Sequence, residues 1–168
     1  IKKSKRKESS RQWISRQLND PYVSEAQKRG FRSRAAFKLL QIDERYSLFK
    51  SGMTILDLGC APGGWLQVMS QIIHKRKMGK IIGIDLLETD ALPDVDILVG
   101  DITDKDIINK MHSLLGDRQV NGVLSDMAAD TTGHRPTDHI RTTLLLEEAL
   151  NIGIENLSED GFFLGKCF

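Results

Sequence analysis

Short runs of consecutive apolar residues alternate along this chain with segments whose apolar residues recur at helical spacing. The runs predict buried strands, because a strand that is covered on both faces has no side on which polar residues are needed. The strands predicted in this way are Met53–Leu58, Lys80–Asp85, Asp96–Val99, Val120–Ser125 and Gly161–Phe168.

The segments around these strands predict helices with recognisable starts. Ser33 is expected to cap a helix that continues to about Tyr46, and Asp104 one that continues to about Leu115. A helix from Gly64 to about Lys75 follows the first strand, and a long helix from Thr137 or Asp138 to about Asn156 precedes the last. This alternation predicts an α/β fold, a Rossmann-like domain with a mainly parallel sheet covered by helices on both faces.

The chain is long enough for one hydrophobic core. We expect a basic, flexible tail over residues 1–10, a basic helical region over 11–52 and the Rossmann-like domain over 53–168. No run of eighteen apolar residues occurs, and the basic N-terminus lacks the apolar segment of a secretory signal. We therefore expect a monomeric cytoplasmic protein with no membrane partner. A mitochondrial location is the alternative, because the basic, serine-containing start is similar to the end of a transit peptide.

Charge is distributed unevenly along the chain. Residues 1–50 contain 14 Lys and Arg against 5 Asp and Glu, whereas the remaining residues contain 10 against 18. The positive charge continues past the tail into sequence with aromatic residues, at Arg32, Arg34 and Lys38 among others. A solvated charged face is the ordinary explanation, but a polyanion partner explains this asymmetry better. The sequence therefore predicts nucleic-acid binding by the basic region.

A glycine-rich turn follows the first strand in the sequence Ile-Leu-Asp-Leu-Gly-Cys-Ala-Pro-Gly-Gly-Trp, residues 55–65. Glycines in such a turn allow the backbone to approach a ligand closely. Pro62 and the Gly63-Gly64 pair break the spacing of the dinucleotide-binding fingerprint, so the turn favours S-adenosylmethionine, which has no phosphate. Asp57 could fix the loop or meet the ammonium group of the ligand. A turn that binds nothing is the alternative.

Polar residues stand where the predicted strands end. Asp85 could accept hydrogen bonds from both ribose hydroxyls of a nucleoside cofactor, and Asp101 could accept one from an adenine amino group. Asp126 and Lys166 lie at or near the ends of the fourth and fifth strands. Each alone would more often be a surface or capping residue, but together they indicate a ligand site at the carboxyl edge of the sheet. The two cysteines and four histidines have no metal-ligand spacing, so we expect no metal.

The glycine-rich turn and several other motifs resemble those of the FtsJ/RrmJ-type ribose 2′-O-methyltransferases. The motifs that resemble this family, in chain order, are Trp13, Asp20-Pro21-Tyr22-Val23, Arg32-Ser33-Arg34-Ala35, Phe37-Lys38-Leu39, Phe49-Lys50-Ser51-Gly52-Met53, Asp57-Leu58-Gly59, Ala61-Pro62-Gly63-Gly64-Trp65, Asp85-Leu86-Leu87, Gly100-Asp101, Ser125-Asp126-Met127-Ala128 and Gly165-Lys166-Cys167-Phe168. The resemblance implies an S-adenosylmethionine cofactor held at Gly63, Trp65, Asp85, Asp101 and Asp126.

The resemblance also implies the reaction. In the family a Lys-Asp-Lys-Glu tetrad performs the transfer, and Lys38, Asp126 and Lys166 match its first three members. Lys166 would act as the general base that takes the proton from a ribose 2′-hydroxyl, with Asp126 holding it. The family continues past the position of Phe168 with further strands and a helix that bears the glutamate. By this comparison the C-terminal strands of the fold and the fourth catalytic residue are missing from the sequence.

We therefore expect a uridine 2′-O-methyltransferase that acts on large-subunit ribosomal RNA, alone or in the assembled subunit. Transfer RNA or a messenger cap is an alternative target. A non-catalytic RNA-binding assembly factor is a third possibility, disfavoured by the presence of Lys38, Asp126 and Lys166.

Overall fold

The structure of the chain is a computed structural model that describes residues 20–73, 79–129 and 132–167. The predicted tail over residues 1–10 and the beginning of the basic region, up to residue 19, lie outside the described residues. The helices are α1 Pro21–Lys28, α2 Ala35–Tyr46, α3 Gly64–Ile73, α4 Lys105–Leu115 and α5 Arg135–Asn156. The strands are β1 Thr54–Leu58, β2 Lys80–Asp85, β3 Val95–Val99, β4 Val120–Ser125 and β5 Leu157–Gly165.

The strands form one sheet in the order β3-β2-β1-β4-β5, and each adjacent pair is parallel. β1 lies in the centre, with β2 on one side and β4 on the other. The strand order changes direction beside β1, so the crevice at its carboxyl end is where a ligand is expected in an open α/β sheet. The predicted α/β fold with a parallel sheet is confirmed.

Both faces of the sheet are buried under helices. On one face, Ile55 and Ile81 pack in a cluster that includes Leu39 of α2 and Leu66 of α3. On the other face the strands pack against helices α4 and α5, in a second cluster that includes Leu56, Ile82, Met111 and Ala149. Every residue of β1 is buried, which explains why the strands lack an alternating polar pattern.

Three sequence-based predictions about local structure are wrong. Ser33 does not cap α2, which begins at Ala35 and has no side-chain cap bond. Instead, Ser33 packs against Gly64, where an added Cβ would lie 2.3 Å from its Oγ. Helix α5 begins at Arg135, with Pro136 in its first turn, two or three residues before the predicted start at Thr137 or Asp138.

The last strand is also displaced from its prediction. β5 begins at Leu157 and ends at Gly165, because Leu157 pairs with Val120 of β4 ahead of a register shift, after which Phe162 pairs with Gly122. Lys166 therefore follows the strand rather than lying within it, although its N–H still donates to Ser125 O at 2.9 Å. The predicted cap of α4 is confirmed, since Asp104 Oδ1 accepts from the Asp106 N–H at 2.9 Å. Within the described ranges, none of the helices is long and apolar enough to cross a membrane.

Candidate active site

The glycine-rich turn between β1 and α3 is fixed by its own backbone and by β2. The N–H groups of Gly59 and Cys60 both donate to Ile84 O, at 2.8 and 3.3 Å, and Gly63 N–H donates to Cys60 O at 2.7 Å. Gly59 and Gly63 have φ values of 81° and 100°, a conformation that favours glycine. A Cβ on Gly59 would also lie 2.2 Å from Met127 Cγ, so this position has no room for a side chain.

Asp85 joins this turn to the loop after β2. Its Oδ2 accepts from the Ala61 N–H at 2.8 Å, and its Oδ1 accepts from the Leu87 N–H at 2.9 Å. Each carboxylate oxygen has a second lone pair, so the side chain can still accept from a ligand. Asp85 therefore both shapes the site and remains available to bind.

Asp101 follows β3 across the same crevice. Its Oδ1 accepts from the N–H and the hydroxyl of Thr103, both at 2.8 Å. These hydrogen bonds lower the pKa of Asp101, so it is a charged acceptor at neutral pH.

Asp85 and Asp101 both line a cavity of about 250 Å³ at the carboxyl edge of the sheet. Its other walls come from the glycine-rich turn, from Leu86 and Leu87, from residues near the end of β4 and from α5; they are Gly59, Ala61, Ile84, Gly100, Ile102, Met127, Ala128 and Leu145. An apolar cavity with two acidic acceptors can hold a flat, partly apolar ligand that carries hydroxyl and amino donors.

Asp126 lies between two lysines that come from distant parts of the chain. Lys166 Nζ is 2.8 Å from Asp126 Oδ1 and donates to the Asp126 backbone carbonyl at 2.5 Å. Lys38 Nζ, from α2, lies 3.4 Å from Asp126 Oδ2. The side chain of Lys166 is 23% exposed and that of Lys38 is 55% exposed. The structure thus brings together the three residues that match the catalytic tetrad of the family.

Gly63 and Trp65, two of the predicted cofactor-binding positions, do not line the cavity. Trp65 is buried, and its indole N–H donates to Ala35 O at 2.9 Å. It therefore ties the start of α2 to α3. A Cβ on Gly63 would lie 2.7 Å from Arg32 Nη1.

The two arginines predicted to bind RNA already have partners within the protein. Arg34 pairs with Asp20, the N-cap of α1. Arg32 donates from Nη1 to Asp90 O at 2.7 Å and from Nη2 to Ala91 O at 3.0 Å. Lys38 is the third predicted RNA contact, and it belongs to the lysine-aspartate cluster formed by Lys38, Asp126 and Lys166.

Asp57 is a feature of the site whose environment the sequence did not reveal. It is 1% exposed, and neither carboxylate oxygen has a hydrogen-bond partner among the described residues. Burial, followed by the negative charges of Asp126 and Asp85, raises the pKa of Asp57 to about 8. The sequence does place Asp57 within an apolar strand, and this position was the signal that its carboxyl group would be buried. A buried carboxyl group needs a hydrogen-bond partner or a proton.

Cys60 is a buried free thiol in the glycine-rich turn. Burial, reinforced by the nearby negative charges of Asp57 and Asp85, raises the pKa of the Cys60 thiol. Among residues 20–73, 79–129 and 132–167, no three His, Cys, Asp or Glu side chains are grouped so that they could hold an ion.

Residues 31–168 match the family model described as FtsJ-like methyltransferase. The chain is 48% identical to "Ribosomal RNA large subunit methyltransferase E" of Brucella ovis over 163 residues, which cover 96% of this chain and 68% of that protein. It has the same identity and coverage to the protein of that name from Brucella canis.

A solved structure supports the same relationship. The crystal structure of a ribosomal RNA methyltransferase from Plasmodium falciparum superposes with a TM-score of 0.75 at 30% sequence identity. The match covers 82% of this chain and 79% of that one.

The raised pKa of Asp57 predicts a pH-dependent stability. Between about pH 4, where the carboxyl group ionises in the unfolded chain, and about pH 8, the folded state keeps a proton that the unfolded state releases. Native stability should therefore fall as pH rises through this window. In D57N the side chain does not ionise, so the free energy of unfolding no longer falls with pH for this reason. D57N should therefore be more stable than the native protein at pH 8, by on the order of a few kcal/mol. The difference should shrink toward pH 4.

Urea unfolding of both proteins across this pH range measures the effect, with the exposed Asp117→Asn as control. A constant difference between D57N and native protein from pH 4 to pH 8 would contradict it.

Proposed function

The chain belongs to the FtsJ-like methyltransferase family, and we propose that it methylates a ribose 2′-hydroxyl of large-subunit ribosomal RNA with S-adenosylmethionine as the methyl donor. The observation that supports this most strongly is the cluster of Lys38, Asp126 and Lys166 beside the cavity. Met127, the residue after Asp126, lines that cavity, so the basic group and the ligand site are adjacent.

The cavity residues suit S-adenosylmethionine. Asp85 and Asp101 offer carboxylate oxygens to the ribose hydroxyls and the adenine amino group, and Leu87 and Met127 offer apolar surface to the ring. Asp57, two residues before Gly59, is a buried carboxyl group that the positive charge of the ligand would favour in its ionised form. When bound, S-adenosylmethionine supplies a methyl group on a positively charged sulfur.

Lys166 is proposed as the general base. A lysine can accept a proton only through a neutral amine, and Lys166 Nζ is the less exposed of the two amines at the site. Asp126 Oδ1 and the Asp126 carbonyl hold Nζ in place, so the position of the amine is set before substrate binds. Nζ would take the proton from the ribose 2′-hydroxyl as that oxygen becomes the nucleophile.

Lys38 and Asp126 are proposed to support this step. Lys38 brings a second positive charge to Asp126 from α2, and its greater exposure leaves it able to contact a phosphate of the RNA. Holding the hydroxyl and the methyl group together would supply much of the acceleration.

The basic region supports RNA as the substrate. In the described residues, exposed lysines and arginines continue from α1 to the segment that follows α2; they are Lys28, Arg29, Arg34, Lys38, Arg45 and Lys50. Because α2 also carries Lys38, RNA bound there would reach the lysine-aspartate cluster. The assignment to uridine comes from the family resemblance. The cytoplasm is the expected location, because ribosomal subunits assemble there in bacteria.

Lys166 provides the test of the proposed chemistry. Lys166→Ala should reduce methyl transfer by about a hundred- to ten-thousand-fold, while the affinities for cofactor and RNA stay near native, because a general base acts on the transition state. K166R should be equally inactive, since arginine keeps the charge beside Asp126 but does not release a proton at working pH. Tritium transfer from S-adenosylmethionine into ribosomal subunits, naked ribosomal RNA and transfer RNA measures the activity.

Lys80 offers a matched control. Its side chain is also 23% exposed and pairs with an aspartate, Asp96, but it lies at the amino edge of the sheet. K80A should keep native turnover. If K166R also kept native turnover, the general-base role would be wrong. Transfer only into transfer RNA would contradict the ribosomal substrate, and RNA binding without any transfer would identify an assembly factor instead.

The proposed RNA surface predicts a salt-dependent effect of Arg34. Replacement by alanine should weaken RNA binding and lower the slope of log affinity against log salt concentration by about one unit for each lost phosphate contact. Fluorescence anisotropy over a salt series with a ribosomal RNA fragment measures this slope.

Arg118→Ala is the control, because Arg118 is exposed between α4 and β4, at the opposite edge of the sheet. An Arg34→Ala slope equal to that of the control would mean that the basic surface is only solvated.

A further inference from the structure

Arg32 connects helix α3 to the loop between β2 and β3. Its guanidinium donates to two consecutive carbonyls, those of Asp90 and Ala91, in the loop between β2 and β3. Its own backbone N–H donates to Gln67 Oε1 of α3 at 2.8 Å, and Gln67 Nε2 donates to Gly30 O at 2.9 Å. The backbone of Arg32 is thus fixed to the helix that follows the glycine-rich turn, while its side chain holds the loop.

Arg32 also lies directly on the glycine-rich turn. A Cβ on Gly63 would be 2.7 Å from Arg32 Nη1 and 3.2 Å from Thr89 Cγ2. The guanidinium and Thr89 of the loop therefore both lie next to the turn at Gly63. The absence of a side chain at Gly63 is what allows the guanidinium to reach the loop.

The loop that Arg32 holds begins immediately after Asp85. Leu86 and Leu87 of this loop line the cavity, and the Leu87 N–H donates to the Asp85 carboxylate. A shift of residues 86–94 would therefore move part of the cavity wall and one hydrogen bond that orients Asp85. Leu92 of this loop packs against the core, but Leu86, Leu87 and Ala91 are exposed, so apolar packing contributes little at the part of the loop that lines the cavity.

We propose that Arg32 is a positioning residue for the cofactor, which holds the loop of residues 86–94 against the glycine-rich turn and so keeps Asp85 oriented toward the cavity. This inference rests on the proposed use of S-adenosylmethionine. Two consecutive carbonyls suit the planar fork of a guanidinium, whereas a lysine amine is a single point of charge. The role differs from the phosphate contact that the sequence predicts for Arg32, since two of its N–H donors are already engaged inside the protein.

Arg32→Ala should weaken S-adenosylmethionine binding by roughly tenfold to a hundredfold, as expected for the loss of charge-assisted hydrogen bonds, measured by titration calorimetry. Amide hydrogen exchange in residues 86–94 of the free protein should accelerate at the same time. R32K should recover only part of the affinity, and millimolar methylguanidinium should partly restore R32A. Arg118→Ala removes the same charge from the opposite edge of the sheet without touching the turn, and should leave both measurements at native values.

Cofactor affinity and loop exchange at native values in R32A, with only RNA affinity reduced, would overturn the proposal and return Arg32 to the role of a phosphate contact. If R32A does not fold, as judged by circular dichroism, R32K provides the same comparison. Failure of the native protein to bind S-adenosylmethionine would overturn the proposed function instead. In that case, amide hydrogen exchange of residues 86–94 that is unchanged in R32A would separately show that Arg32 does not hold the loop.

Discussion

The five strands in the described part of the chain all run in the same direction, so the carboxyl end of each strand reaches the same edge of the sheet. This constraint brings together groups that are far apart along the chain, because each strand delivers its following residues to one crevice. The glycine-rich turn comes from β1, Asp85 from β2, Asp101 from β3, Asp126 from β4 and Lys166 from β5. Only Lys38 comes to the lysine-aspartate cluster from a helix that precedes the sheet. The candidate site is therefore a direct consequence of the parallel topology.

Several carboxyl groups lie near one edge of the sheet, and their negative charges repel one another. Each carboxyl group is stabilised against this repulsion in a different way. Asp126 has two lysines, while Asp85 and Asp101 accept hydrogen bonds from N–H groups of their surroundings. Asp57 is buried without such a partner among the described residues, and its raised pKa means that it keeps a proton over much of the physiological range. A positively charged ligand would therefore be attracted to an edge where several carboxylates are only partly neutralised.

The sequence was sufficient for those parts of the structure that depend on local pattern. The bounds of β2 and β4 agree with the prediction, because these strands are continuous apolar runs buried on both faces. The start of β5 was missed, because Ser158, Glu159 and Asp160 are polar and lie in the register irregularity between the pairs Val120–Leu157 and Gly122–Phe162. Likewise, the sequence shows Arg32 as a positive charge, but its two carbonyl partners, Asp90 and Ala91, are defined only by the fold.

We propose that the lysine-aspartate cluster directs the methyl group to a ribose oxygen rather than to a base. Alkaline hydrolysis of RNA labelled by the protein and tritiated S-adenosylmethionine tests it most directly, because alkali cleaves RNA through attack of the free 2′-oxygen on the adjacent phosphate. A methyl group on that oxygen blocks the cleavage, so we expect the label in alkali-resistant dinucleotides. Recovery of the label in mononucleotides would place the methyl group on a base and show that the cluster does not direct it to the ribose.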